Sequence, residues 1–148
     1  MRIISTGTSS GDDADFLAGA LKLLPLFAAL SEEQLVKVLY FIKVVEFEAG
    51  ETVFEEGDAG ERFYIVYEGR VEARKVGLLK EKVLSSMGPG EFFGELALLL
   101  GRRRAAAIVC VQPTICFSLD QTDLELLMER NPDIADAIRN VARKRFAR

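Results

Sequence analysis

The chain has 148 residues, 49% apolar and 28% charged, which is one domain's length of chain with enough apolar material for a single core. Lys and Arg total 19 against 23 Asp and Glu, for a net charge of −4, the wrong balance for a general binder of nucleic-acid phosphates. The sequence holds 0 His, which removes Ser-His-Asp and Cys-His catalysis and most zinc and iron sites.

Residues 1–12 are rich in Ser, Thr and Gly, a composition that predicts a disordered tail. Asp13 to Lys22 reads as a short helix, stopped by the restriction Pro25 places on Leu24. Ser31 and Gln34 have capping-box spacing, and Leu30 and Leu35 flank them as a hydrophobic staple. Leu35, Leu39 and Ile42 continue the apolar stripe, so a helix is predicted from Glu32 to about Phe41.

From Lys43 the period changes. Short β-rich runs follow, Val44–Phe47, Thr52–Glu55, Arg62–Tyr67, Val71–Lys75, Lys82–Ser85, Ala106–Val111 and Thr114–Leu119. Turn residues separate them at the spacing of an all-β sandwich or barrel. One segment breaks this pattern. Glu95 to Leu100 consists of strong helix formers between Gly94 and Gly101, and predicts a single helical turn inside the β region. Asp120 then caps a helix to about Arg130. Asn131 caps and Pro132 starts a last helix. Its apolar face is narrow (Ile134, Ile138, Val141), which predicts weak docking, and its end is basic.

The 2 cysteines, Cys110 and Cys116, are too few for a disulfide scaffold or a four-Cys zinc site. Their spacing lets them face each other across a hairpin turning at Gln112-Pro113-Thr114, and they read as reduced, buried, small apolar residues. No signal peptide is visible. The longest apolar run, Leu17 to Leu30, is broken by Lys22 and Pro25, short of the roughly 18 residues of a membrane span. The expected location is cytoplasmic, with no membrane contact by this chain alone.

The helical turn after Gly94 carries the chemistry. Its free N–H groups favour an anion, Arg102, Arg103 and Arg104 follow, and Glu95 stands at its first position. A guanidinium suits a phosphate and a carboxylate suits a sugar hydroxyl, so the stretch fits a phosphorylated sugar. The alternative is a solvated arginine cluster beside a glycine-bounded turn.

Phe93-Gly94-Glu95-Leu96-Ala97-Leu98, a short spacer, then Arg104-Ala105-Ala106 closely resembles the phosphate-binding cassette of cyclic nucleotide-binding domains. Phe47 to Glu51, Glu56 to Gly60, Phe63 to Val66 with Glu68-Gly69, and Met87 to Phe93 resemble other segments of that family, in order, over about residues 23–148. The resemblance implies an eight-stranded β-roll, a jelly roll at about 43–120, with flanking N-terminal helices and a C-terminal helical lid at about 121–146. Residues 13–148 would form the cyclic nucleotide-binding domain.

The resemblance also implies roles. Glu95 would bind the ribose 2′-OH and Arg104 the phosphate oxygens. Backbone N–H groups around Leu96 and Ala97 would complete the cradle, and Gly94 would allow close approach. Phe93, Ala105 and Ala106 complete the cassette. The family usually has Pro where this chain has Arg103, which leaves a register question among the three arginines. Spacing from Glu95 selects Arg104. Ala105 lacks the hydroxyl common in cGMP-preferring members, which points to cyclic AMP as ligand, with cGMP as the alternative. The candidate lid residues are Arg139, Val141 and Phe146.

The implied function is a non-enzymatic regulatory module that binds cAMP, moves its C-terminal helix and acts on an effector domain or protein. It implies no metal and no nucleic acid. Three other readings compare less well. A transcription regulator of the catabolite-activator type appends a reader helix after the long helix. A cupin-like enzyme holds its metal largely through His. A ligand-free domain of this fold is disfavoured by the intact Glu95 and Arg104.

Overall fold

Local chemistry sets the helix starts. The computed structural model describes residues 1–6, 11–94 and 103–146. In it, helices α1 (Gly11–Leu23) and α2 (Glu32–Leu39) precede the main β region. The capping box at α2 forms: Ser31 Oγ accepts from the Gln34 amide at 3.2 Å, and Gln34 Oε1 accepts from the Ser31 amide at 2.9 Å. Two of the helix's four orphan N-terminal donors are thereby satisfied or shielded.

The strands are β1 (Arg2–Thr6), β2 (Lys43–Phe47), β3 (Thr52–Phe54), β4 (Arg62–Glu68), β5 (Val71–Val76), β6 (Glu81–Met87), β7 (Phe92–Phe93), β8 (Ala107–Cys110) and β9 (Thr114–Asp120). Among the described residues they form two sheets, ordered β1-β2-β9-β4-β7 and β3-β8-β5-β6. Helices α3 (Gln121–Arg130) and α4 (Pro132–Phe146) close the described chain.

The first sheet is covered on both faces, which explains the near-continuous apolar runs of β4 and β9. Phe63, Ile65, Phe117 and Leu119 face a cluster built from the helices. Tyr64, Val66 and Cys116 point the other way, into a second cluster shared with Val71, Ile108 and Cys110 of the second sheet. Side chains alternate between faces along a strand, so one register serves both clusters. Lys43 Nζ lies 3.3 Å from Asp120 Oδ2 and 3.4 Å from Asp123 Oδ2, tying β2 to the start of α3. Burial works against the Lys43 ammonium, but Asp120 and then Asp123 outweigh it and hold its pKa above the ordinary value.

Four expectations are corrected. The tail expected to be disordered contains β1, which pairs antiparallel with β2 from Arg2↔Glu46 to Thr6↔Lys43. Ion pairs of Arg2 with Glu46 and of the N-terminal ammonium with Glu51 fasten it. Cys110 and Cys116 do not face each other on one hairpin ladder. β8 pairs with β3 and β5, and β9 with β2 and β4, so the Gln112-Pro113 connection crosses from one sheet to the other. Both cysteines are free and buried. The Asn131 side chain serves the helix before it, donating from Nδ2 to the Leu127 carbonyl at 2.9 Å. Finally, α4 is docked along its first half: Ile134 and Ile138 are buried in the helical cluster and Ala135 is buried beside them.

Candidate functional site

Arg104 is the pivot of the site. It follows directly on Arg103, which forms an isolated β-bridge with Ala59. The Arg104 amide donates to the Asp58 carbonyl and its own carbonyl accepts from the Gly57 amide, both at 2.8 Å. With the backbone held on two sides, the side chain is aimed inward and only 8% exposed. Nη2 donates to the Arg62 carbonyl at 2.6 Å, and Cζ stands 3.9 Å over the Phe54 ring. A guanidinium over an aromatic face is attracted by the ring quadrupole, and its plane is fixed by the stacking.

One donor of this group has no protein partner: Arg104 Nε is buried without a hydrogen bond. Among the described residues, no carboxylate comes within ion-pair distance of Arg104 either. Burial lowers its pKa, partly countered by Tyr64, Asp58 and Glu61. A buried cation lacking an anion is costly, and an incoming anion removes that cost. A cleft of about 140 Å³ opens beside it, lined by Phe54, Asp58, Ala59, Glu61, Arg62, Tyr64 and Arg104.

Gly94 completes the geometry. Its φ is +86°, in the left-handed region, and a Cβ there would stand 2.6 Å from Arg104 Nη1 and 2.8 Å from the Arg62 carbonyl oxygen. Only glycine lets the chain pass this close to the guanidinium. Phe93 is buried just before it, paired with Tyr64 in the ladder and stacked on it with centroids 5.1 Å apart. Burial raises the Tyr64 pKa, opposed by the charges of Arg62 and Arg104, so the phenol keeps its proton. The thioether of Met1 lies 3.6 Å from Arg62 Nη1 and 3.9 Å from the Tyr64 hydroxyl.

The structure therefore brings Phe93, Gly94 and Arg104 together. Ala105 is exposed, and Ala106 is half-buried against the inter-sheet cluster. Arg103 is exposed and donates from Nη1 to the Gly57 carbonyl at 2.9 Å. Of the two described arginines, only Arg104 turns inward. Glu95, Leu96 and Ala97, with the helical turn to Leu100 and Arg102, lie outside the described residues. The candidate lid residues are not gathered here. Arg139 is exposed, Val141 packs against the helical cluster on the other face of the first sheet, and the Phe146 side chain lies outside the described residues. Sequence reasoning missed Phe54, Arg62 and Tyr64, whose roles arise from contacts across sequence separations of about 40 to 50 positions.

Comparison with known proteins gives a consistent result. A family model described as "Cyclic nucleotide-binding domain" matches residues 44–131. A cAMP-dependent protein kinase regulatory subunit of Yarrowia lipolytica is 42% identical over 103 residues, 70% of this chain and 26% of that protein. The crystal structure of the N-terminal domain of a transcriptional regulator from Streptomyces coelicolor A3(2) superposes with a TM-score of 0.78 at 32% identity, covering 85% of this chain and 89% of that one. The regulatory domain of Toxoplasma gondii PKA, solved with cAMP, gives 0.74 at 31%, covering 81% and 46%. The chain spans between 17% and 55% of the length of the curated relatives compared.

Proposed function

We infer ligand and mechanism from one premise: the chain belongs to the cyclic nucleotide-binding domain family, whose model matches residues 44–131. It is a regulatory domain for a cyclic nucleotide. The ligand we propose is cAMP, and the observation that carries the site is the buried guanidinium of Arg104, with an unpartnered Nε and no ion pair among the described residues. Arg104 takes the phosphate. Gly94 lets the backbone approach, with amides around Leu96 and Ala97 as further donors, and Glu95 accepts from the ribose 2′-OH. Phe93 and Phe54 hold the floor on which the guanidinium rests. Ala105 is exposed and carries no hydroxyl for a guanine, which supports cAMP over cGMP. The cAMP in the Toxoplasma structure and the names of other similar proteins support the same reading. Output passes to an effector domain or protein, as in a kinase regulatory subunit or a transcriptional regulator.

Calorimetric titration with both nucleotides tests the ligand. The expected result is one cAMP per chain, bound more tightly than cGMP. Absence of heat or competition at millimolar cAMP overturns the proposal.

The switch we propose is the distal part of α4. Ile134 and Ile138 anchor its first half, whereas Val141 is half-buried and Arg139 and Arg143 are exposed. An arginine there can stack on a purine face. Nucleotide that touches this part only in a closed arrangement shifts the population toward closure. Amide hydrogen exchange over residues 139–146 is expected to slow with saturating cAMP while Pro132 to Ile138 changes little. Equal exchange with and without ligand reduces α4 to a structural cap.

A further inference from the structure

The hairpin joining β5 to β6 has an apolar tip that none of the described residues covers. Leu78 and Leu79 are 105% and 99% exposed, and Val76, Val83 and Leu84 are exposed on the strands that carry them. Single exposed leucines are ordinary, but a contiguous apolar patch marks a contact surface. Strand β6 is exposed from Glu81 to Ser86 and forms the edge of its sheet, so the hairpin stands proud of the core. A hollow of about 560 Å³ runs along the turn from Gly77 to Val83.

The charges around the tip are sorted. Arg74 engages both carboxylates of the hairpin, Glu72 at 2.8 Å and Glu81 at 3.3 Å. Lys75, Lys80 and Lys82 remain, with no ion pair among the described residues. Three lysines thus flank the apolar tip, with Glu56 at its base accepting from the Val76 amide at 3.4 Å, on a chain whose net charge is −4. We propose that this hairpin docks on an anionic lipid surface, Leu78 and Leu79 entering the acyl boundary and the three lysines meeting headgroup phosphates and carboxylates. Insertion of this kind needs no spanning helix, and no helix among the described residues is long and apolar enough to be one.

Two observations favour a bilayer over a second copy of the chain. Lysines along an edge strand discourage strand pairing between copies. The clefts beside Arg62 are lined by charged and polar groups such as Glu61, Asp120 and Gln121, which offer no socket for two leucines. A bilayer accepts a convex apolar tip, and its surface potential attracts the three lysines while repelling the acidic remainder, which fixes the orientation.

Co-sedimentation of the full chain with vesicles tests this, using pure phosphatidylcholine against phosphatidylcholine containing about 30% phosphatidylserine. Binding is expected only to the second, and is expected to fall as salt is raised. Each lysine near such a surface is worth about fivefold, so Lys80→Glu with Lys82→Glu is expected to weaken binding by about 25-fold or more. Leu78→Ser with Leu79→Ser is expected to weaken it at least about tenfold, and Val36→Ser, an exposed apolar position on α2, is expected to change nothing. All of these side chains are exposed, so thermal melting of each variant is expected to match the unsubstituted chain. Failure to bind anionic vesicles, or binding indifferent to the hairpin substitutions, overturns the proposal. So does a concentration-dependent self-association that the leucine pair abolishes without any vesicle binding, which assigns the tip to a second copy.

Discussion

Arg104→Ala is expected to weaken cAMP binding by roughly thirtyfold to a few thousandfold, the factor that corresponds to losing a desolvated, charge-assisted pair worth about 2–5 kcal/mol. Arg103→Ala is expected to cost no more than about fivefold, because Arg103 is exposed and its hydrogen bond runs to the Gly57 carbonyl. The contrast rests on burial. Arg104 has already given up most of its hydration without an anion among the described residues, so an arriving phosphate meets a site whose desolvation was completed on folding. The same reasoning predicts the behaviour without ligand. Removing the cation discards its stacking on Phe54 and its bond to the Arg62 carbonyl, but also discards a buried charge with no ion pair among the described residues. The ligand-free variant is therefore expected to melt within a few degrees of the parent, a change of about 1 kcal/mol or less. At a hundredfold excess over Kd, cAMP stabilises the parent by about 2.7 kcal/mol. In the variant at the same cAMP concentration that stabilisation is expected to fall to about 0.9 kcal/mol or less. Equal losses for Arg103→Ala and Arg104→Ala would mean that the phosphate lies elsewhere.

Gly94→Ala is expected to damage both folding and binding. At φ +86° an alanine costs about 1–3 kcal/mol of backbone strain. Its Cβ would also meet Arg104 Nη1 at 2.6 Å and the Arg62 carbonyl oxygen at 2.8 Å, so the guanidinium must leave the position that awaits the phosphate. Gly90→Ala separates the two effects. Gly90 has φ +87° with nothing within 4 Å of an added Cβ, so it pays a similar backbone cost without moving Arg104. Chemical denaturation is expected to show a loss for both variants, larger for Gly94→Ala because its Cβ also meets the Arg62 backbone carbonyl. Titration is expected to show at least about a tenfold loss of affinity for Gly94→Ala and less than about threefold for Gly90→Ala. Equal affinities in the two variants would detach Gly94 from the site.

Elements specified by local chemistry were legible in the sequence, because their cause lies within a few residues. The capping box of Ser31 and Gln34, the Asp120 cap, and the apolar runs of β4 and β9 are of this kind. Arg104 was singled out by the resemblance to the phosphate-binding cassette, and in the structure it is the arginine of the described pair that turns inward. What escaped was decided by distant partners. Arg2 to Thr6 carry only two isoleucines among polar residues, and become a strand because β2 supplies an edge about 40 positions away. Phe92–Phe93 is too short to show a period, and is a strand only through Tyr64 and Ile65. Phe54 carries no local sign that it will lie beneath a guanidinium. The cysteine pair misled because nearness along the chain suggested a hairpin, whereas each strand found a better-placed neighbour in a different sheet.

The crossing at Gln112-Pro113 has a chemical consequence. It places both thiols of the chain, Cys110 and Cys116, in the layer between the two sheets with no exposed surface. Burial raises both thiol pKa values, and for Cys116 the neighbouring Cys110 adds to it. The reactive thiolate is thus suppressed twice, by proton affinity and by access. An alkylating reagent meets a sulfur only when the sheets separate, so labelling of this chain runs as a clock. Each modified molecule records one opening of the sandwich, without any probe having been added.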